Sequence, residues 1–339
     1  MEQLDAGGRF RSTDDEVAAA VITRAQPGLP QVQPPVHRPA DSSRFHGESG
    51  LMELDPLSPP GALAAARVRR AVRYGSDVYL PTWPEATVGL PIVLLQSSLW
   101  SAGEAAGTYV TDVRLSNLSD DVTVYITGQQ LTQYDRRVFA ACLNHYRLDR
   151  PLTPRGIELE IGRTFYDLAR LMGLSYTLNT HVAIRSSLLR LQAASLRIRT
   201  RTVDLVIERL LEVSLDESYP CCPDTELKGS NPLGFRVPEE FAQLYGLGTW
   251  TPVPKFALEA KGLRSWAVAF YATHNKPIPH SFTTLHALSG LACRPNDFRT
   301  RLCKVLEGLQ DQEVEQSLRV SRFTISEDGS SITVWKAGW

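Results

Sequence analysis

Asn296, Arg299, Thr300 and Lys304 recur at spacings of one to four residues. On a helix they share one side and leave Phe298, Leu302, Val305 and Leu309 on the other. Carboxamide, guanidinium, hydroxyl and ammonium groups in one file suit one kind of chemistry: they hydrogen-bond to base edges and neutralise phosphates. Arg301 stands at the margin of that face. Arg294, just before Pro295, stands at the helix start, where free backbone N–H groups favour an anion. Arg319, Arg322 and Lys336 follow on a hairpin, within reach of a flanking phosphate backbone.

An earlier stretch carries a related set. A helix from Thr180 sets Asn179, Ser186 and Arg190 outward, with His181 and Arg185 at the flanks and Val182 on the exposed side. Beyond it Arg197, Arg199 and Arg201 alternate, and alternate residues of a strand share a face. Three guanidinium groups in a row make a phosphate rail rather than a base reader.

Other chemistries find no support. The chain has no G-x-x-x-x-G-K-[ST], G-x-S-x-G or H-E-x-x-H, and no His-apolar-His run to partner a tyrosine nucleophile. It reads as non-enzymatic and without a cofactor. The five cysteines form no metal spacing, and Cys221-Cys222 reads as an ordinary loop. His274, His280 and His286 recur every six residues, a spacing expected to scatter them over different faces rather than gather a metal.

The elements that must position these residues come twice. Phe165-Tyr-Asp-Leu168-Ala-Arg-Leu171-Met-Gly173-Leu174 returns 117 residues later as Phe282-Thr-Thr-Leu285-His-Ala-Leu288-Ser-Gly290-Leu291. Thr164 and Ser281 stand ready as N-caps and the glycines as stops, so each copy predicts a short helix, a tight turn and a second helix. Ile184, Leu188 and Leu191 face the core in the first copy. A hairpin follows each: Leu196-Arg-Ile198 with Leu205-Val-Ile207, and Leu318-Arg-Val320 with Ile332-Thr-Val334 across a Glu327-Asp-Gly-Ser330 turn. A longer helix precedes each, Gln133 to Tyr146 and Lys255 to His274, the first with Thr132 and Asp135 spaced as a capping box.

The expected fold is therefore α+β, mainly helical, with two tandem winged-helix domains. Residues 1–89 read as a disordered or linker-like extension holding ten of the chain's 22 prolines and a short arginine-rich helix at 62–73. Residues 90–228 form the first winged helix and 229–339 the second, split at Gly229-Ser-Asn-Pro232. The net charge of −1 warns against reading nucleic-acid binding off the whole chain, but residues 227–339 carry 13 basic and 10 acidic side chains. No apolar run approaches a membrane span and no signal peptide stands out, so the expectation is a soluble, cytoplasmic protein.

From Trp83-Pro84-Glu85 to about residue 330 the chain resembles the TrfA family of plasmid replication initiators. The resemblance is densest in Val122-Thr-Val-Tyr-Ile-Thr-Gly128, Thr164-Phe-Tyr-Asp-Leu168 with Gly173, and Leu188-Leu-Arg-Leu-Gln192-Ala. It implies a bacterial initiator that binds direct repeats (iterons) in double-stranded origin DNA and opens a neighbouring A/T-rich region. It further implies recruitment of the host initiator and replicative helicase, and a homodimer in equilibrium with monomer. By the same resemblance the first winged helix serves dimerisation and backbone contact, and the second reads bases. The family's sliding-clamp motif is not matched, since Tyr74-Gly-Ser-Asp-Val78 stands in its place; Gln96-Ser-Ser-Leu99-Trp100 has its flavour but reads as packing. The competing readings are a winged-helix transcriptional regulator, expected to bind a palindrome, and a scaffold that binds proteins instead of DNA.

Overall fold

Both short helices stop at a glycine that turns left-handed. In the computed structural model, which describes residues 80–81, 83–104, 108–146, 161–201, 204–215, 227–245, 250–259 and 261–337, Gly173 has φ +66° and Gly290 φ +60°. The chain runs β1 (Thr87–Pro91), α1 (Ile92–Leu95), β2 (Trp100–Ser101), β3 (Tyr109–Arg114), β4 (Thr123–Gln129), β5 (Leu131–Thr132), α2 (Gln133–Asn144), β6 (Ile161–Thr164), α3 (Phe165–Leu171), α4 (Leu178–Ala193), β7 (Ser195–Arg199), β8 (Asp204–Ile207), β9 (Glu212–Leu215) and β10 (Pro232–Arg236). After a 3-10 turn (Glu239–Tyr245) come β11 (Trp250–Pro254), a second 3-10 turn (Lys255–Leu258), α5 (Gly262–Ala272), β12 (Pro279–Ser281), α6 (Phe282–Ser289), α7 (Pro295–Gly308), β13 (Val320–Ile325) and β14 (Ser331–Lys336). Among the described residues helix accounts for 37% and strand for 30%, so the fold is mixed rather than mainly helical. The arginine-rich stretch at 62–73, most of the N-terminal extension and the Cys221-Cys222 pair lie outside the described residues.

The caps explain why the helices begin where they do. The Thr164 hydroxyl accepts from the Asp167 N–H, and the Asp167 carboxylate accepts from the Thr164 N–H, closing a capping box on α3. Ser281 Oγ accepts from the Thr284 N–H at 3.0 Å to start α6. Thr177 caps α4, while α7 begins with Pro295 in its first turn. Ile184, Leu188 and Leu191 are buried on α4, and Phe298, Leu302, Leu306 and Leu309 line the inner side of α7. Val305, expected in that row, is only half-buried. Spacings of four, four and three fit the helical period, and they turn Leu306 inward instead.

The sheets correct the expected wings. In the second copy β12, β14 and β13 form one antiparallel sheet in that order, so the hairpin after α7 folds back beside the strand that precedes α6. This is the strand order expected of a winged helix. The matching sheet in the first copy is β6-β10-β9, not the expected hairpin of β7 and β8. That hairpin joins β4 and β3 in a separate four-stranded sheet ordered β3-β4-β7-β8. Alternation identified β7 and β8 as a pair, but a two-residue period does not say which third strand a pair will join. The Gly229-Pro232 turn also falls inside the first unit, because Pro232–Arg236 pairs with both Ile161–Thr164 and Glu212–Leu215.

The two helix-turn-helix units share one core. α2 buries Val138, Phe139, Cys142 and Leu143, and Thr132 with Asp135 closes its capping box as expected. The long helix expected from Lys255 to His274 is interrupted: a 3-10 turn ends at Leu258, and α5 starts at Gly262, whose φ of +56° is left-handed. β1 pairs with β11, Gln96 donates to the Thr273 hydroxyl at 2.9 Å, and Ser101 donates to the Gly290 carbonyl at 2.9 Å. Arg136 crosses from α2 to α5, where one guanidinium nitrogen donates to both Ser265 O (3.0 Å) and Ser265 Oγ (2.7 Å). Leu99 and Trp100 are buried in this shared core, out of reach of a clamp.

Candidate nucleic-acid interface

α7 rests its apolar side on α5 and α6 and turns Asn296, Arg299, Thr300, Arg301 and Lys304 to solvent, as the spacing predicts. Thr300 donates to the Asn296 carbonyl at 3.0 Å, one turn back. Arg294 occupies the N-cap and is exposed; no side chain caps the helix, so the first N–H groups stay open to an anion. The Arg299 guanidinium does not hang free. It lies 5.1 Å over the ring of Phe282, and a Cβ built on Gly329 would meet its Nη1 at 3.1 Å.

The hairpin is less uniform than expected. Arg322 is exposed and sits 4.4 Å over the Trp335 ring, and Arg319 is half-buried at the base of β13. Lys336 points inward: it donates to the His274 carbonyl at 3.0 Å, and burial lowers its pKa. It ties the sheet to α5 and is not a phosphate contact. The wing turn is acidic. Asp328 accepts from Ser326 Oγ (2.6 Å), Ser330 Oγ (2.7 Å) and the Ser330 N–H (3.1 Å), and these bonds hold its carboxyl down at about pKa 2. With exposed Glu327 beside it, the tip would repel phosphate, which leaves anion contact to α7 and the base of the hairpin.

The first unit departs further from expectation. Asn179 is exposed, but Thr180 donates to the Ser175 carbonyl as part of the α4 cap, and Ser186 and Arg185 are half-buried. His181 is 1% exposed, stacked 3.7 Å from Phe165 and bonded to Tyr176 at 3.0 Å, because its phase on α4 points it into the core. Arg190 makes two bonds to Asp135 Oδ1, at 2.7 and 3.1 Å, compensating a fully buried carboxylate that also accepts from Ser187. Neither His181 nor Arg190 is available to a nucleic acid. Beside Asn179, α4 exposes large apolar side chains: Leu178, Val182 and Leu189, at 59%, 41% and 46%.

The arginine rail exists but carries a counter-charge. Arg197 and Arg199 share one face of β7 while Leu196 and Ile198 are buried on the other, and Arg201 is exposed just beyond. Asp204, across the hairpin, accepts from Arg197 at 2.7 Å and from Arg199 at 3.3 Å. Arg197 is the main cause of the lowered Asp204 pKa, about 2. The cross-strand register Arg199↔Asp204 was the signal for this partner. Sequence reasoning does not mark Phe282, Asp328 and Gly329 as site residues, although Phe and Gly are the marked letters of the repeat and turn.

Two of the three histidines meet after all. β12 returns to the C-terminal end of α5, and His280 Nε2 lies 2.9 Å from His274 Nε2, both rings buried. His286 stands apart, stacked on Phe298 at 4.8 Å. Among the described residues no group of three or more His, Cys, Asp or Glu side chains could hold a metal ion. No helix among them is long and apolar enough to cross a membrane.

Fold and face together give paired helix-turn-helix units, each beside a three-stranded antiparallel sheet, the second with a polar, cation-bearing second helix. No family model matches the chain, and no curated protein does. It is similar to three solved structures at low identity. The crystal structure of selenomethionine derivatives of domains 2 and 3 of RctB has a TM-score of 0.46 at 12% identity, over 73% of this chain and 98% of that one. A second structure of RctB domains 2-3 has a TM-score of 0.44 at 14% identity, over 72% and 96%. The Pi initiator protein in complex with iteron DNA has a TM-score of 0.43 at 15% identity, over 60% of this chain and 90% of that one.

Proposed function

We propose that this protein is a non-enzymatic initiator of plasmid replication that binds repeated sites in origin DNA sequence-specifically. One observation carries the reading: the second helix of the second helix-turn-helix unit presents Asn296, Arg299, Thr300 and Lys304 on a single exposed face. These are the side-chain types that read adenine and guanine edges and bind phosphate, on the element that enters a major groove. In this reading electrostatic docking brings the face to the duplex, base edges fix the register, and binding energy distorts neighbouring DNA. The first unit contributes the Arg197, Arg199 and Arg201 rail to the backbone, and its apolar α4 face serves self-association between monomer and dimer. Recruitment of a host initiator and helicase, and action in the bacterial cytoplasm, complete the proposal on the strength of the TrfA resemblance.

Selection of bound duplexes from a random DNA pool at near-physiological salt tests it. The expected product is a long asymmetric motif that recurs as direct repeats in the source replicon, because the two units differ. A palindrome favours a transcriptional regulator, and a pool without enrichment refutes sequence-specific binding.

A further inference from the structure

The geometry points to Phe282 and the wing turn at Gly329 as positioning residues, a shelf that holds Arg299 in a reading pose. The inference deepens the base-reading proposal and rests on it. An arginine on an exposed helix face ordinarily samples many rotamers, and ordering it on DNA costs affinity. Here two surfaces restrict it beforehand. The Phe282 ring, 8% exposed, lies under the guanidinium at 5.1 Å, where the ring quadrupole attracts a cation. Gly329 lets the wing backbone approach so closely that a Cβ would stand 3.1 Å from Nη1 and 3.3 Å from Nη2. The turn is itself fastened. Asp328 bonds Ser326 and Ser330, the Gly329 N–H donates to Ser326 O at 2.8 Å, and the Phe282 N–H donates to Ser330 O at 3.0 Å. Wing, shelf and reader are therefore one connected piece.

The internal repeat supplies the contrast. At the 117-residue offset that superposes Thr164 on Ser281, Phe165 on Phe282 and Gly173 on Gly290, Arg299 corresponds to Val182. The equivalent phenyl ring, Phe165, is 1% exposed and is covered by His181 at 3.7 Å. The same framework thus closes its aromatic ring with a buried imidazole in one unit and with an exposed guanidinium in the other. This assigns base reading to the second unit from the packing beneath Arg299.

The test measures the affinity of the full chain for the duplex enriched from the random pool and for a scrambled duplex of the same composition, with thermal melts as a check on folding. Phe282→Leu keeps an apolar filler without the ring and is expected to lower the specific-to-scrambled ratio by roughly 3- to 10-fold, with little change on scrambled DNA. Phe282→Tyr should restore the ratio. Gly329→Ala leaves the ring intact but crowds the guanidinium and strains a turn whose φ is +69°, so it should lower the ratio comparably; it decides the matter if Phe282→Leu does not fold and its own melt matches wild type. In an Arg299→Ala background neither change should lower the ratio further, an outcome that a merely structural role would not give. If Arg299→Ala alone loses discrimination while Phe282→Leu and Gly329→Ala both keep it, the shelf is refuted and base reading stands. If Arg299→Ala keeps full discrimination, both fall.

Discussion

Lowering the pH should loosen the wing, and His274 sets the size of the effect. Its Nδ1 lies 3.1 Å from the Phe270 carbonyl, an acceptor only, so the proton sits on Nδ1 and the Nε2 lone pair receives the N–H of His280 at 2.9 Å. A second proton on His274 would set two N–H groups face to face. Burial, followed by the neighbouring His280, lowers the His274 pKa from 6.5 to about 4, with Lys336 adding to the shift; burial also lowers His280. The unfolded chain takes up its proton near the ordinary value, so between the two values it binds more protons than the folded protein. The stability contributed by the neutral ring is complete above about pH 6.5 and drains away as the pH falls toward 4. At about pH 5 the two pKa values give a loss of about 2 kcal/mol, or about 4–8 °C in Tm for a unit of this size. Melts at about pH 7.5 and 5 should show that drop, and the double variant His274→Gln, His280→Gln should show markedly less. A variant with the same acid sensitivity as wild type, or a His274 ring that titrates at the ordinary value by NMR, would sink the argument.

Other substitutions probe the remaining contacts. Arg136 is buried with no carboxylate beside it among the described residues, its Nε has no partner there, and burial pushes its pKa down to about 9. Arg136→Met should therefore be neutral or stabilising, by up to about 4 kcal/mol in urea unfolding, and a loss of more than about 2 kcal/mol would contradict this account. Arg190→Ala strips the buried Asp135 of its cation and should cost about 3 kcal/mol of stability; unchanged unfolding with weakened DNA binding would restore Arg190 to the interface. Asp204→Asn frees Arg197 and Arg199, so binding to DNA of any sequence should tighten and the slope of log affinity against log salt should steepen by about 1 or more. Identical slopes for the variant and wild type would remove the rail from the interface. Arg299→Ala should cost about 1–3 kcal/mol at the selected site and little elsewhere, read from paired titrations.

The sequence by itself determined the local pieces. Thr164 and Ser281 as caps, Gly173 and Gly290 as stops, the buried rows of α4 and α7 and the outward face of Asn296, Arg299, Thr300 and Lys304 follow from short-range rules, because a cap bond or a helical period spans only a few residues. Only the tertiary structure decided which distant pieces meet. β7 and β8 join β4 instead of closing the first wing, β10 reaches back to β6, and His280 returns to His274. The same distance effect reassigned single side chains. Arg190 is spent on Asp135, 55 residues away, and Lys336 on the carbonyl of His274, 62 away. A basic residue on a polar stretch looks alike whether it faces solvent or a buried acceptor, since the partner that settles the matter is brought by the fold and leaves no mark in the neighbouring sequence.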